Sequence, residues 1–208
     1  MLHLETVEPH TFSILRELLK IPELRDSSLV GGTALSLLHG HRKSVDLDLF
    51  SNKPFDNAIV IEAMKNKFRE KFVMEQKPPV FGIFCYIDGV KVDLVRHPHP
   101  LIKPEQTKEG IRMFSVEDII AMKVQAILGR GKKKDFWDVA ELLNHYSVPD
   151  FIEFHKQKYA TQNLIITVPQ AITYFSDADE SEDPISLKKQ TWKSVQESIK
   201  AKVRGYLM

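Results

Sequence analysis

The sequence predicts an α+β fold, with a mixed α/β half built on a β-sheet followed by a helical C-terminal half. Three observations predict it. Val45-Asp46-Leu47-Asp48-Leu49-Phe50 alternates strictly between apolar and polar residues, the period of a half-buried strand. Phe81 to Ile87 and Val90 to Val95 are β-rich runs separated by Asp88-Gly89, which supplies the positive-φ residues of a tight hairpin turn. From Val116 onward the chain reads as helices.

In chain order, Phe12, Ile14, Leu15, Leu18 and Leu19 give a helix over about 8–20, stopped by Pro22. Ser28-Leu29-Val30 is a short apolar run that leads into Gly31-Gly32-Thr33, and a helix over 34–38 begins right after the glycines. The strand at 45–50 and a helix over 57–69 precede the hairpin. Residues 96–110, rich in proline, histidine and charge, read as a connecting loop. Ser115 with Asp118 three residues later is a helix-start signal. Helices are expected at 116–129, 134–146, 149–159, 168–176 and 185–203. The expected division is a sheet-containing domain over 1–105 and a helical domain over 106–208, with a cleft between them.

Composition narrows the function. Lys plus Arg is 29 and Asp plus Glu is 28, so the net charge of +1 excludes an overall basic coat for nucleic acid but not a local basic patch. The one cysteine, Cys85, excludes an intrachain disulfide and a thiolate zinc cluster, and reads as a small buried hydrophobe. No leader-like N-terminus and no membrane-length apolar run are visible, so a cytoplasmic protein is expected.

The chemistry concentrates in Gly31-Gly32-Thr33-Ala34-Leu35 and Arg42-Lys43-Ser44-Val45-Asp46-Leu47-Asp48. On a strand Asp46 and Asp48 share one face, while Val45, Leu47 and Leu49 face the core. Paired carboxylates repel unless water or a cation lies between them, and oxygen ligands suit Mg²⁺ or Mn²⁺. If the hairpin lies beside this strand, Asp93 completes a triad. A triad of this kind holds two ions roughly 3.5–4 Å apart for in-line nucleotidyl transfer. The glycines let backbone approach a phosphate, the helix after them offers free N–H groups, and Thr33, Arg42 and Ser44 are candidate phosphate donors. The same residues also allow a plain turn and a solvated strand face. Lys91 shares the face of Asp93 and is positioned to pair with it.

The ordered set resembles the nucleotidyltransferase superfamily with a polymerase β-like palm, and within it the AbiEii/AbiGii toxin-type proteins. The resemblance rests on the two stretches above, Lys91-Val92-Asp93, Val116 to Lys123 continuing through Ala126 to Arg130, and Lys134-Asp135-Phe136-Trp137-Asp138. It implies a palm fold, an NTP donor, a two-metal site at Asp46, Asp48 and Asp93, and release of pyrophosphate. Asp93 would be the third ligand or the general base. The resemblance also implies that Lys123 contacts the nucleotide phosphates, with Arg130 near the same helix face. It gives Asp135 as the acidic residue of its motif, orienting Lys123 or acting as a base toward the acceptor. It implies a toxin–antitoxin or phage-defence role with tRNA or a protein side chain as acceptor, and a cognate antitoxin partner. A small-molecule (aminoglycoside-like) nucleotidyltransferase, a catalytically silent binding module and an antitoxin-like interaction protein are the alternatives.

From residues alone, Lys123 beside the apolar stripe of its helix can also snorkel to water, and Asp135 and Asp138 can be helix-start charges. Lys132-Lys133-Lys134 is a surface run or an attractor for triphosphate. His97-Pro98-His99 reads as loop, and His39 and His41 have no partner visible in sequence. Trp192 suits packing or an interface.

Overall fold

The computed structural model describes residues 1–208. Pro9 opens α1 (Pro9–Leu18), whose Ile14, Leu15 and Leu18 are buried. β1 (Ser28–Leu29), α2 (Gly31–His39) and β2 (Leu47–Ser51) follow. The Asp56 carboxylate accepts from the Ala58 and Ile59 amides and so caps α3 (Asn57–Phe68). Next come β3 (Phe72–Val73), β4 (Gly82–Ile87), β5 (Val90–Arg96), β6 (Gln106–Lys108) and β7 (Ile111–Met113). The helices α4 (Val116–Gly129), α5 (Lys133–Leu142), α6 (Val148–Lys158), α7 (Val168–Thr173) and α8 (Trp192–Leu207) complete the chain. No helix is long and apolar enough to cross a membrane.

The strands form one mixed sheet in the order β3-β4-β5-β2-β1-β7-β6. β2 and β5 run parallel, with Leu47 opposite Val92, Asp48 opposite Asp93 and Leu49 opposite Leu94. These leucines and Val92 are fully buried, so the pleat turns Asp48 and Asp93 to the other face together. A one-residue slip would bury both carboxylates and expose the apolar set. One continuous hydrophobic core joins the sheet to the helices. Within it α5 packs against α2, α4 and α8, and Phe136 meets the rings of Phe175 and Trp192. Trp192 also stacks on Trp137, with ring planes 10° apart, and its indole N–H donates to Asp179. Trp192 is therefore a packing residue.

Several elements differ from the sequence expectation. α2 begins at Gly31 rather than after the glycines. β2 begins at Leu47, so Asp46 precedes the strand and Val45 is 63% exposed rather than in the core. The backbone there is taken up elsewhere: Ser44 N–H donates to the Thr6 carbonyl, and the Asp46 carbonyl accepts from Thr33 Oγ1. The expected loop at 96–110 contains β6, and β7 follows it. β7 pairs in parallel with β1, so the sheet extends past residue 105 to Met113. The β6–β7 turn is Glu109-Gly110, both at positive φ, a hairpin without the usual Asn or Asp signal. The expected helices at 134–146 and 168–176 end at Leu142 and Thr173. The last helix starts at Trp192, capped by Thr191, because residues 185–187 bond instead to the backbone of residues 41–43.

Phe136→Ala should remove about 3–5 kcal/mol of stability, because the ring is fully buried between α8 and Phe175. A urea titration checks this, with a lower midpoint and an unchanged slope expected.

Candidate active site

The sheet register sets Asp48 and Asp93 side by side, and the glycine turn packs onto them. Gly31 has φ +69°, and a methyl group there would lie 2.8 Å from Asp48 Oδ2. A methyl group at Gly32 would lie 2.1 Å from an Arg42 guanidinium nitrogen. Only glycine lets the backbone come down this close, so the turn serves the site rather than merely reversing the chain.

Beneath the turn lies a buried ionic cluster centred on Asp138, which is wholly buried. Arg42 donates to it bidentately, Nε to Oδ1 at 2.7 Å and Nη2 to Oδ2 at 2.9 Å. His41 Nε2 lies 2.7 Å from Oδ1. Lys123 Nζ lies 2.7 Å from Oδ2 and donates to Asp135 Oδ1 at 2.8 Å. Two buried cations thus meet two buried anions. Burial alone would raise the Asp138 pKa, but the charges of Arg42 and Lys123 and the hydrogen bonds from His41 and Arg42 hold it well below the usual carboxylate range. Burial opposes the charge on Lys123, and Asp135 and Asp138 overcome it and raise the pKa.

Some candidate residues therefore have other roles. Arg42, expected to hold phosphate, is only 3% exposed and is committed to Asp138 and to the Lys43 carbonyl. Thr33, expected as a phosphate donor, is buried and pins the loop by bonding Ser44 and the Asp46 carbonyl. Ser44 is likewise buried, with its hydroxyl against Thr33 at 2.8 Å. Asp135 orients Lys123, and a carboxylate wholly buried in this way is not placed to take a proton from an acceptor. Lys123 is 6% exposed, and its charge only partly offsets the rise in the Asp48 pKa that burial and Asp93 cause. Arg130 stands at the end of α4, its Nε 4.0 Å from Asp135 Oδ2. Asp138 and His41 were the residues that sequence reasoning left unassigned.

Asp46, Asp48 and Asp93 suit a cation. Burial, then the charge of Asp93, raises the Asp48 pKa against the pull of Lys123 and Lys91. Lys91 pairs with Asp93 Oδ2, as its position on the strand allows, and leaves Oδ1 buried with no partner. Asp46 is drawn to Lys134, 3.2 Å away, and the three carboxylates are not drawn together into one tight cluster. Asp48 and Asp93 are therefore the preformed pair, with Asp46 at the rim.

The fold is that of the polymerase β-like nucleotidyltransferases. A candidate nucleotidyltransferase from H. pylori superposes with a TM-score of 0.60 at 17% identity, over 95% of this chain and 94% of that one. MenT4, a nucleotidyltransferase toxin from Mycobacterium tuberculosis H37Rv, does so with a TM-score of 0.57 at 12% identity, over 95% and 86%. The sequence profile of the family described as "Nucleotidyl transferase AbiEii toxin, Type IV TA system" matches residues 13–81 and 84–204, and the chain belongs to that family. It is an NTP-dependent nucleotidyltransferase. An uncharacterized protein from Aquifex aeolicus (strain VF5) is 32% identical over 201 residues, 93% of this chain and 94% of the relative.

Asp138→Asn should cost about 3–5 kcal/mol at neutral pH, because two buried cations lose a counter-ion. The sign with pH follows from a folded pKa below the ordinary value of 3.8. The unfolded chain binds the proton first, so the stabilisation is complete above that value and is lost as pH falls below it. Thermal melts of both proteins from neutral to acid pH should show the gap narrowing below about pH 4.

Proposed function

We propose that the chain transfers a nucleoside monophosphate from an NTP to an acceptor hydroxyl with divalent-metal assistance, as the toxin of a toxin–antitoxin or phage-defence pair acting on tRNA or on a protein side chain. A bond forms between the acceptor oxygen and the α-phosphorus as the bond to pyrophosphate breaks. The observation that carries this reading is the Asp48–Asp93 pair under the glycine turn, with Asp93 Oδ1 buried and unpartnered. Mg²⁺ or Mn²⁺ held by Asp48, Asp93 and Asp46 would activate the acceptor hydroxyl and neutralise charge on the triphosphate.

The chain's own residues do the rest. Gly31 and Gly32 let the donor phosphates approach the backbone, where the first N–H groups of α2 are free of helical partners. Lys123 carries three N–H donors, two of which go to Asp135 and Asp138, and the third serves a donor phosphate. Arg42, Thr33 and Ser44 hold the turn in shape rather than touching the nucleotide. Lys91 and Lys134 stabilise the carboxylates until a cation displaces them. Arg130 and Lys132 add positive charge at the rim for a polyanionic substrate.

Purified protein with Mg²⁺ or Mn²⁺, labelled NTPs and total tRNA tests the reading. Label should enter tRNA or the protein itself, and Asp48→Asn or Asp93→Asn should reduce incorporation by at least about 10³-fold, the scale of several kcal/mol at the transition state. Circular dichroism should show both variants folded. Equal incorporation by wild type and variants would make the assignment wrong.

A further inference from the structure

A second cluster lies at the far end of α2 and α5, outside the carboxylate pair. His39 is the last residue of α2, Glu141 is near the end of α5, and His145 is in the turn after it. One ligand atom from each lies within 4.8 Å of the other two. We infer that His39, Glu141 and His145 form a transition-metal site, with Zn²⁺ the ion whose chemistry it fits, clamping the C-terminal ends of α2 and α5.

Several independent features point to a ligand here. His39 Nε2 is buried and has no hydrogen-bond partner, which is costly for an imidazole unless something binds it. His145 Nε2 lies 3.3 Å from Glu141 Oε1. Two ligands each about 2.0–2.1 Å from a tetrahedral Zn²⁺ stand about 3.3–3.4 Å apart, so that edge of the coordination shell already exists. The two imidazole rings are 4.9 Å apart and inclined at 35°. Two imidazoles and one carboxylate are a borderline donor set that suits Zn²⁺ and leaves a fourth position for water. It differs from the all-carboxylate set at Asp48 and Asp93, which suits a hard ion.

Two contacts give way to the metal: the His145–Glu141 hydrogen bond, and Lys188. Lys188 Nζ donates to Glu141 Oε1 at 2.8 Å, and it is 44% exposed. Lys188 lies next to Leu187, whose N–H donates to the His41 carbonyl. It can swing to solvent when an ion takes Oε1. His41 is two residues from His39 and bonds Asp138, so the clamp would brace the buried ionic cluster from behind.

The test uses full-length protein stripped with a chelator, then titrated with Co²⁺ and separately with Zn²⁺ by calorimetry. Wild type should bind one Co²⁺ with the visible absorption of a tetrahedral nitrogen–oxygen site, distinct from any weakly absorbing Co²⁺ on the carboxylates and displaced by Zn²⁺. His145→Ala, at a half-exposed position, should weaken binding by more than about tenfold while circular dichroism stays native. His39→Ala should do the same if it folds. Lys188→Ala should tighten binding, because the competing ammonium is gone. Asp48→Asn should leave this binding unchanged. Wild-type affinity retained in His145→Ala, or binding lost in Asp48→Asn, would overturn the inference, as would no tetrahedral spectrum in wild type.

Discussion

The buried carboxylate of Asp138 is the constraint on which the site depends. It draws Arg42 and His41 from the segment after α2, and Lys123 from α4, onto α5. Three separate parts of the chain are therefore tied to one another by charge as well as by the apolar core they share. Each ion alone would be expensive to bury, and together the two cations and two carboxylates offset one another's desolvation. The guanidinium so fixed forms the floor under Gly32, so the glycine turn inherits its position from Asp138.

The electrostatics are graded from the interior outward. The innermost cluster sets two cations against two carboxylates and is almost wholly buried. Above it Asp48 and Asp93 form a pair with excess negative charge, one of whose oxygens is left without a partner. At the rim, lysines 91 and 134 lean on the carboxylates from the solvent side. A buried ion cluster thus lies beneath a more open one that uses the same residue types. The mixed sheet supplies the other half of this arrangement, because the register of the parallel β2–β5 pair sets Asp48 directly beside Asp93.

The fold was largely legible because its signals are local. Period-two alternation, the Asp88-Gly89 turn and the Ser115 cap each occupy a few residues, and each corresponds to an element near the expected place. The exceptions have physical reasons. β6 and β7 are three residues each, too short for alternation to register, and they are strands because they pair with each other and β7 docks on β1. Spacing pointed to Asp46 with Asp48, and Asp93 joins Asp48 only through the β2–β5 register, while the partnership of Arg42 with Asp138 has no local signal. α5 looks amphipathic in sequence, where Asp135 and Asp138 allow a helix-start role as charges. In the structure every residue from Asp135 to Leu142 is buried, because α2, α4 and α8 cover all its sides. A polar residue on such a helix must find a partner, and that partner lies far away in sequence. His39 and His41 are opaque for the same reason.

That separation bears on how the protein comes into being. Arg42 and Asp138 stand 96 residues apart, and β1 gains its parallel neighbour only when β7 has been made. The glycine turn, strand β2 and both aspartates of the pair leave the ribosome well before α5. Until then the guanidinium has no counter-ion and the floor of the donor pocket does not exist. Long-range closure of this kind is slow relative to local folding, since loop entropy must be overcome before the contact forms. The chain therefore carries a built-in delay between translation of the Asp48–Asp93 pair and assembly of the ionic cluster beneath it.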